Sequence, residues 1–262
     1  MILEIEGVSF QYNCKPVLRD ICFTLDKGET LAILGPNGVG KTTMLKCINA
    51  ILRPGRGSVL VDGRDVFSMD SMEIARCIGY VAQRTEVARL TAFDAILLGR
   101  LPHGQWRSTR ADLMLVDAAV KRLGLQDLAM RYVDQMSGGE LQKVAIARAL
   151  VQEPKLLLFD EPTSSLDLKN QVEILNIIRR VVREHDVAAI MTMHDLNTAL
   201  RYADKFLFLK DGTIFAAGDV SSISEEMIQE VYGIPVEIHL HKGNPIIMPR
   251  GDDYTPEAED RS

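Results

Sequence analysis

The chain has 262 residues, enough for one large domain or two modest ones around a substantial core. Its hydrophobic share of 47% and charged share of 25% are those of an ordinary globular protein, and a formal net charge of −6 excludes a general affinity for nucleic acid phosphates. Cys14, Cys22, Cys47 and Cys77 have no C-x-x-C spacing, which argues against a disulfide framework or a cysteine metal cluster; with no signal peptide and no run of ~20 apolar residues, the expectation is a protein soluble by itself.

In chain order, "LEIEGVSFQY" (residues 3–12) and "VLRDICFTL" (17–25) alternate apolar and polar residues, which predicts half-buried antiparallel strands. "TLAILG" (30–35) is a continuous apolar run, as expected of a parallel strand covered on both faces. It leads into "GPNGVGKTT" (35–43), which fits G-x-x-x-x-G-K-[ST] through Gly35, Gly40, Lys41 and Thr42, with a helical pattern beginning near Lys41. In such a loop, backbone N–H groups converge on phosphate oxygens at a helix N-terminus. Lys41 is the candidate partner of the β and γ phosphates and Thr42 a ligand of Mg²⁺. Pro36, Asn37, Gly38 and Thr43 complete the loop. A plain glycine-rich turn is the alternative, and the agreement of strand, spacing and helix speaks against it.

Gln83, in "IGYVAQR", follows a further short apolar strand, where it could reach Mg²⁺ or the attacking water; glutamine also has many plainer uses. Residues of about 91–149 read as almost entirely helical, a subdomain inserted into the α/β core. Within it, Ser137 and Glu140 form a capping box, yet Gly138 and Gly139 weaken the first turn by ~1 kcal/mol each. "KLLLFD" (155–160) and "VAAIMTM" (187–193) predict two more buried parallel strands. At the end of the first, Asp160 is placed to hold Mg²⁺ through water and Glu161 to act as general base, unless the pair merely caps the next helix. His194 follows the second and could contact a γ phosphate. The residues "GDDYTPEAEDRS" (251–262) are polar and acidic, and disorder is expected there.

Tyr12, the phosphate loop, Gln83, "SGGE", "LLLFDE", "SSLD" and His194, in that order, resemble the ATP-binding subunit of an ABC transporter. The resemblance covers nearly the whole chain. It implies an α/β fold: a P-loop NTPase core with an N-terminal antiparallel β-subdomain and an inserted helical subdomain, in a single domain over residues 1–250. It implies an active ATPase using ATP and Mg²⁺, with Tyr12 stacked on adenine, although an aromatic residue on a sheet face is the plainer reading. It implies that Ser137, Gly138 and Gly139 bind the γ phosphate held by a second copy, in a head-to-tail homodimer whose two sites Asp167 helps connect; Asp167 can also cap the helix from Leu168. Val39, Met136 and "ELQKV" depart from the family's usual serine, leucine and arginine-rich run, and none of these removes a phosphate or carboxylate role.

"LLGRLPH" (97–103) and "VEIHLHKGNPIIMPR" (236–250) are similar to importer ATPases for iron siderophores, haem and cobalamin. The implied partners are integral membrane permease subunits, docked between the Gln83 loop and the helical subdomain, and indirectly an extracytoplasmic substrate-binding protein. The implied place is the cytoplasmic face of the membrane, and no nucleic acid partner is expected. An iron–sulfur assembly ATPase with soluble partners, an importer ATPase for another cargo and a nucleotide-sensing module with negligible turnover stay open, and His239 and His241 read as solvated strand residues.

Overall fold

A computed structural model describes residues 1–83, 89–104, 108–164, 166–241 and 244–250. The acidic segment 251–262 lies outside the described residues. The two alternating stretches form β1 (Leu3–Tyr12) and β2 (Lys15–Leu25), paired antiparallel, with a register shift between Ile5 and Val8. β4 (Arg56–Val61) pairs with the other edge of β1, and β5 (Arg64–Asp65) completes a four-stranded sheet ordered β2-β1-β4-β5.

The continuous apolar runs become β3 (Thr30–Leu34), β7 (Leu156–Asp160) and β8 (Ala188–Thr192), each buried along its whole length. With β6 (Ile78–Val81), β9 (Lys205–Lys210) and β10 (Thr213–Asp219) they build a six-stranded sheet ordered β10-β9-β3-β8-β7-β6. All pairs in it are parallel except β9–β10. Helices α1 (Lys41–Ile48), α2 (Ser71–Cys77), α6 (Leu168–His185), α7 (Leu196–Tyr202) and α8 (Glu225–Tyr232) flank these sheets.

The period-2 geometry of β3 sends its side chains into two separate layers. Leu31 and Ile33 pack with Met44, Leu45 and Ile48 of α1 and Ile5 of β1. Ala32 and Leu34 pack with Ile174 and Ile178 of α6 and Phe208 of β9. Because β3, β6, β7 and β8 run in one direction, their carboxyl ends lie along a single edge of the sheet, and the residues following them share that edge.

Between β6 and β7 the described chain is helical apart from an isolated bridge between Thr91 and Tyr132: α3 (Ala92–Leu97), a 3-10 stretch (Leu98–His103), α4 (Arg110–Arg122) and α5 (Gly138–Leu150). Ala92, Ile96, Val116, Val120, Val144 and Ala147 give these helices a small core of their own. The "LLGRLPH" stretch straps the end of α5. A Cβ on Gly99 would stand 2.2 Å from the Arg148 carbonyl oxygen, so only glycine permits the approach. Arg100 donates from Nη1 to the Val151 carbonyl at 2.6 Å and from Nε to Asp112 at 2.8 Å. His103 Nε2 lies 2.7 Å from the Gln152 carbonyl. Carbonyls that a helix end leaves without partners are thus satisfied by side chains.

Asp112 also caps α4 together with Thr109, whose N–H and the Arg100 guanidinium hold the carboxyl down at about 2, from an ordinary 3.8. Its stabilising contribution is therefore complete above pH 3.8 and is lost on acidification towards pH 2. Arg100→Ala leaves a nearly buried carboxylate and a helix-end carbonyl without their donor. The expected loss is about 2–4 kcal/mol, read as a lower urea midpoint at neutral pH.

Candidate functional site

Every α-helix from α2 to α8 begins with a side-chain cap, but α1 begins at Gly40 with none. The N–H groups of its first turn are left to a ligand, in a helix end that favours anions. The loop leading to it starts at Gly35, with φ 143°, and a Cβ there would stand 2.4 Å from the Leu209 carbonyl oxygen, so no other residue fits. Pro36, Asn37 and Gly38 are exposed, while Thr43 is buried. Lys41 is buried too, and its Nζ donates to the carbonyls of Gly35 at 2.7 Å and Pro36 at 3.0 Å. Burial pulls the ammonium pKa down, and the carboxylates of Glu161 and Asp160 oppose that shift.

The sheet edge gathers the other candidates around Asp160. Thr42 Oγ1 donates to its Oδ1 at 3.0 Å, Thr192 Oγ1 to the same atom at 2.9 Å, and the Tyr80 hydroxyl to Oδ2 at 3.4 Å. Burial and the Asp160 charge push the Tyr80 phenol well up, so it stays a donor. Glu161 sits at φ 51°, a conformation a side chain rarely adopts, with its N–H donated to Thr192 Oγ1 at 2.9 Å. Its carboxylate receives the Gln83 amide on Oε2 at 2.5 Å and pairs with His194 Nε2 through Oε1. Strand ends from β3, β6, β7 and β8 thereby converge on two adjacent carboxylates.

Thr192 and Tyr80 are absent from the sequence-based set. The readable signal was a polar residue inside an otherwise apolar parallel strand, where burial demands a partner.

Other candidates lie apart from this cluster. Tyr12 stands exposed at the end of β1, edge-on to Phe10 with ring centroids 4.8 Å apart, while β2 brings Val17 and Leu18 over Gly40. Ser137 Oγ accepts from the Glu140 N–H at 3.4 Å, and Glu140 accepts from the Ser137 N–H at 2.7 Å, completing the capping box of α5. Asp167 caps α6, accepting from the Asn170 N–H at 2.8 Å. A Cβ on Gly139 would stand 2.8 Å from the Asn170 side chain, whereas one on Gly138 would meet only Leu166, at 3.8 Å. Close packing of α5 on α6 thus accounts for Gly139, and Gly138 alone faces open space. Among the described residues, no hydrogen bond or ion pair joins Ser137, Gly138, Gly139 or Asp167 to Lys41, Asp160 or Glu161.

An uncapped helix start after a glycine loop, facing two carboxylates at the carboxyl edge of a parallel sheet, defines a P-loop nucleotide-binding protein. Residues 18–164, more than half of the chain, match the model of the ABC transporter family, and the chain belongs to that family as an ATP-binding cassette, an ATPase. An uncharacterised ABC transporter ATP-binding protein of Methanocaldococcus jannaschii is 50% identical over 96% of this chain and 99% of its own length. The petrobactin import ATP-binding protein of Bacillus subtilis is 33% identical over 90% of this chain and 95% of its own length. A phosphonates import ATP-binding protein of Nitratidesulfovibrio vulgaris is 37% identical, over 88% and 91%. Among solved structures, a chain of a transporter assigned to the metal-chelate type, in an inward-facing conformation, matches with TM-score 0.83 and 28% identity, over 96% of this chain and 98% of that one. A dimeric ATP-binding cassette in a post-hydrolysis state bound to ADP and Pi matches with TM-score 0.75 and 27% identity, over 85% and 100%.

Proposed function

We propose that this chain hydrolyses ATP as the energy-supplying subunit of an importer for a metal chelate, the chemical class that includes iron siderophores, haem and cobalamin. The carrying observation is the Glu161 carboxylate held between Gln83 and His194 beside the Asp160 cluster. Lys41 leaves the loop carbonyls to neutralise the β and γ phosphates, and the uncapped N–H groups of α1 receive phosphate oxygens. Glu161 accepts a proton from the attacking water, Gln83 and His194 hold the base in line, and His194 then faces the γ phosphate. Tyr12 stacks on the adenine.

Thr42, Asp160 and the amide oxygen of Gln83 are hard oxygen donors, the set that suits Mg²⁺. No group of three or more His, Cys, Asp or Glu residues gathers as a metal cage among the described residues. When bound, Mg²⁺ neutralises charge on the β and γ phosphates.

The starts of α5 and α6 adjoin at Gly139 and Asn170 and, among the described residues, share no hydrogen bond or ion pair with the chain's own cluster, which supports a head-to-tail homodimer. Ser137, Gly138 and Gly139 of one copy would meet the γ phosphate held by the other, with Asp167 between the two sites. For the membrane partner, a groove of about 500 Å³ lies beside β6, lined by Ile51, Ile74, Tyr80, Leu98, Arg148 and Gln152. Of its lining, Ile51 and Leu98 are exposed. No helix among the described residues is long and apolar enough to cross a membrane. In this reading, permease subunits would supply the pathway and an extracytoplasmic binding protein the cargo. The reading puts the chain's working position at the cytoplasmic face of the membrane, as a peripheral subunit.

Affinity purification from native membranes tests the importer reading: a polytopic subunit should co-purify, and recovery of soluble scaffold proteins alone would sink it. In the reconstituted complex, a binding protein loaded with metal chelate should stimulate ATP hydrolysis, and stimulation by a phosphonate instead would overturn the cargo.

A further inference from the structure

Gly35 is held from three directions. Its carbonyl accepts from Lys41 at 2.7 Å, its Cα abuts the Leu209 carbonyl, and its N–H donates to the Tyr232 hydroxyl at 2.9 Å. Lys41 and Leu209 belong to the loop's immediate surroundings. Tyr232 is the last residue of α8, 197 positions further along the chain. Its ring stands edge-on to Phe208, with centroids 6.2 Å apart, and α8 buries Ile228 and Val231 in the same core. A phenylalanine would fill that space equally well, so packing gives no reason for the hydroxyl. Burial pushes the phenol up to about 12, which keeps it a neutral acceptor for the Gly35 N–H.

The helix that carries Tyr232 is itself braced. Glu225 at its start accepts from the Ile238 N–H at 2.7 Å, in β11 (Val236–His241). β11 pairs with β12 (Asn244–Pro249), whose Ile247 accepts from Asn197 at 3.1 Å and donates to it at 2.7 Å. Asn197 lies in α7, the helix that follows His194. The terminal hairpin therefore ties together the two helices that reach the phosphate loop and the Glu161 cluster.

We propose that Tyr232 is a positioning residue for the phosphate loop, presetting the Leu34–Gly35 peptide in the shape that receives nucleotide, and that α8 with the paired strands β11 and β12 acts as a brace of the ATP site. The proposal rests on the ATP-binding reading of that loop. Without the hydroxyl, a buried N–H must rotate towards water, and the change in the Gly35 dihedrals shifts the next peptide, whose carbonyl holds Lys41. ATP then has to order the loop as it binds. Glu161, Gln83 and His194 are untouched, so affinity falls and the chemical step does not.

The test is Tyr232→Phe in the full chain, assayed with MgATP and by amide exchange without nucleotide. KM for ATP should rise roughly tenfold with kcat within about twofold, the size of one buried N–H left unpaired. Exchange of the Gly35 amide should quicken while amides of β7 stay protected. An unchanged KM with unchanged Gly35 exchange, or a fall in kcat at constant KM, overturns the proposal. Should the variant not fold, the wild-type chain decides: a Gly35 amide exchanging as fast as that of exposed Gly38 overturns it, and strong protection supports it. Failure of the ATP reading itself looks different, as a wild-type protein that neither binds nor hydrolyses ATP.

Discussion

Glu161→Gln is expected to lower kcat on the order of a hundredfold to a thousandfold while ATP still binds within a few-fold of the wild-type affinity. Glutamine keeps the length and planarity of the side chain, so the Thr192 contact to its backbone N–H and the unusual φ of 51° are undisturbed. What goes is the ability to accept a proton from water. The Gln83 amide can still donate to the remaining side-chain oxygen, and that favours retained geometry over collapse. Blocked hydrolysis should also hold the ATP-bound form, so ATP should shift the variant from monomer to dimer in sedimentation. Turnover within twofold of wild type would remove Glu161 from the chemistry. Normal ATP binding without any change in mass, with the permease docking region supplied, would count against the shared site.

The parts of this site readable in the sequence were those fixed by short-range geometry. "GPNGVGKTT" carries strand end, loop and helix start in nine residues, and the Asp160–Glu161 pair announces itself at the end of an apolar run. Pairing between distant strands is a different matter. His194 meets Glu161 because β8 lies between β3 and β7, an order that follows from which helices cover which face. The alternation of hydrophobic residues says that each strand is buried but not which strand is beside it. Tyr80 and Thr192 reach Asp160 from inside β6 and β8, where an apolar run hides a polar residue that the strand-end pattern does not mark. The stretch "LLGRLPH" offers in the sequence only a resemblance to an importer group; its physical role as a strap over the end of α5 depends on Gly99 meeting the Arg148 carbonyl. Tyr232 had no local signal at all, since its partner lies 197 residues away.

Ser137→Asp is expected to abolish ATP-driven dimerisation and lower turnover by about a hundredfold or more, while leaving α5 as stable as before. Aspartate caps a helix as well as serine does, and a negative charge suits the N-terminal end of the helix dipole. The same chain already uses this combination, since α2 begins with a capping box made by Asp70 and Glu73. If Ser137 serves only as the cap of α5, the substitution is therefore silent. In the head-to-tail dimer, by contrast, it aims a carboxylate at the γ phosphate bound by the opposite copy, where the serine hydroxyl had been a donor. Thermal unfolding without nucleotide should stay within about 2 °C of wild type, which separates the two roles. Mixing Ser137→Asp chains with Lys41→Ala chains, each inactive alone, should then restore hydrolysis. One of the two sites in the mixed dimer would combine an intact Lys41 from the first chain with an intact Ser137 from the second. No recovery in the mixture, or full activity of Ser137→Asp alone, would mean that each chain completes its own site.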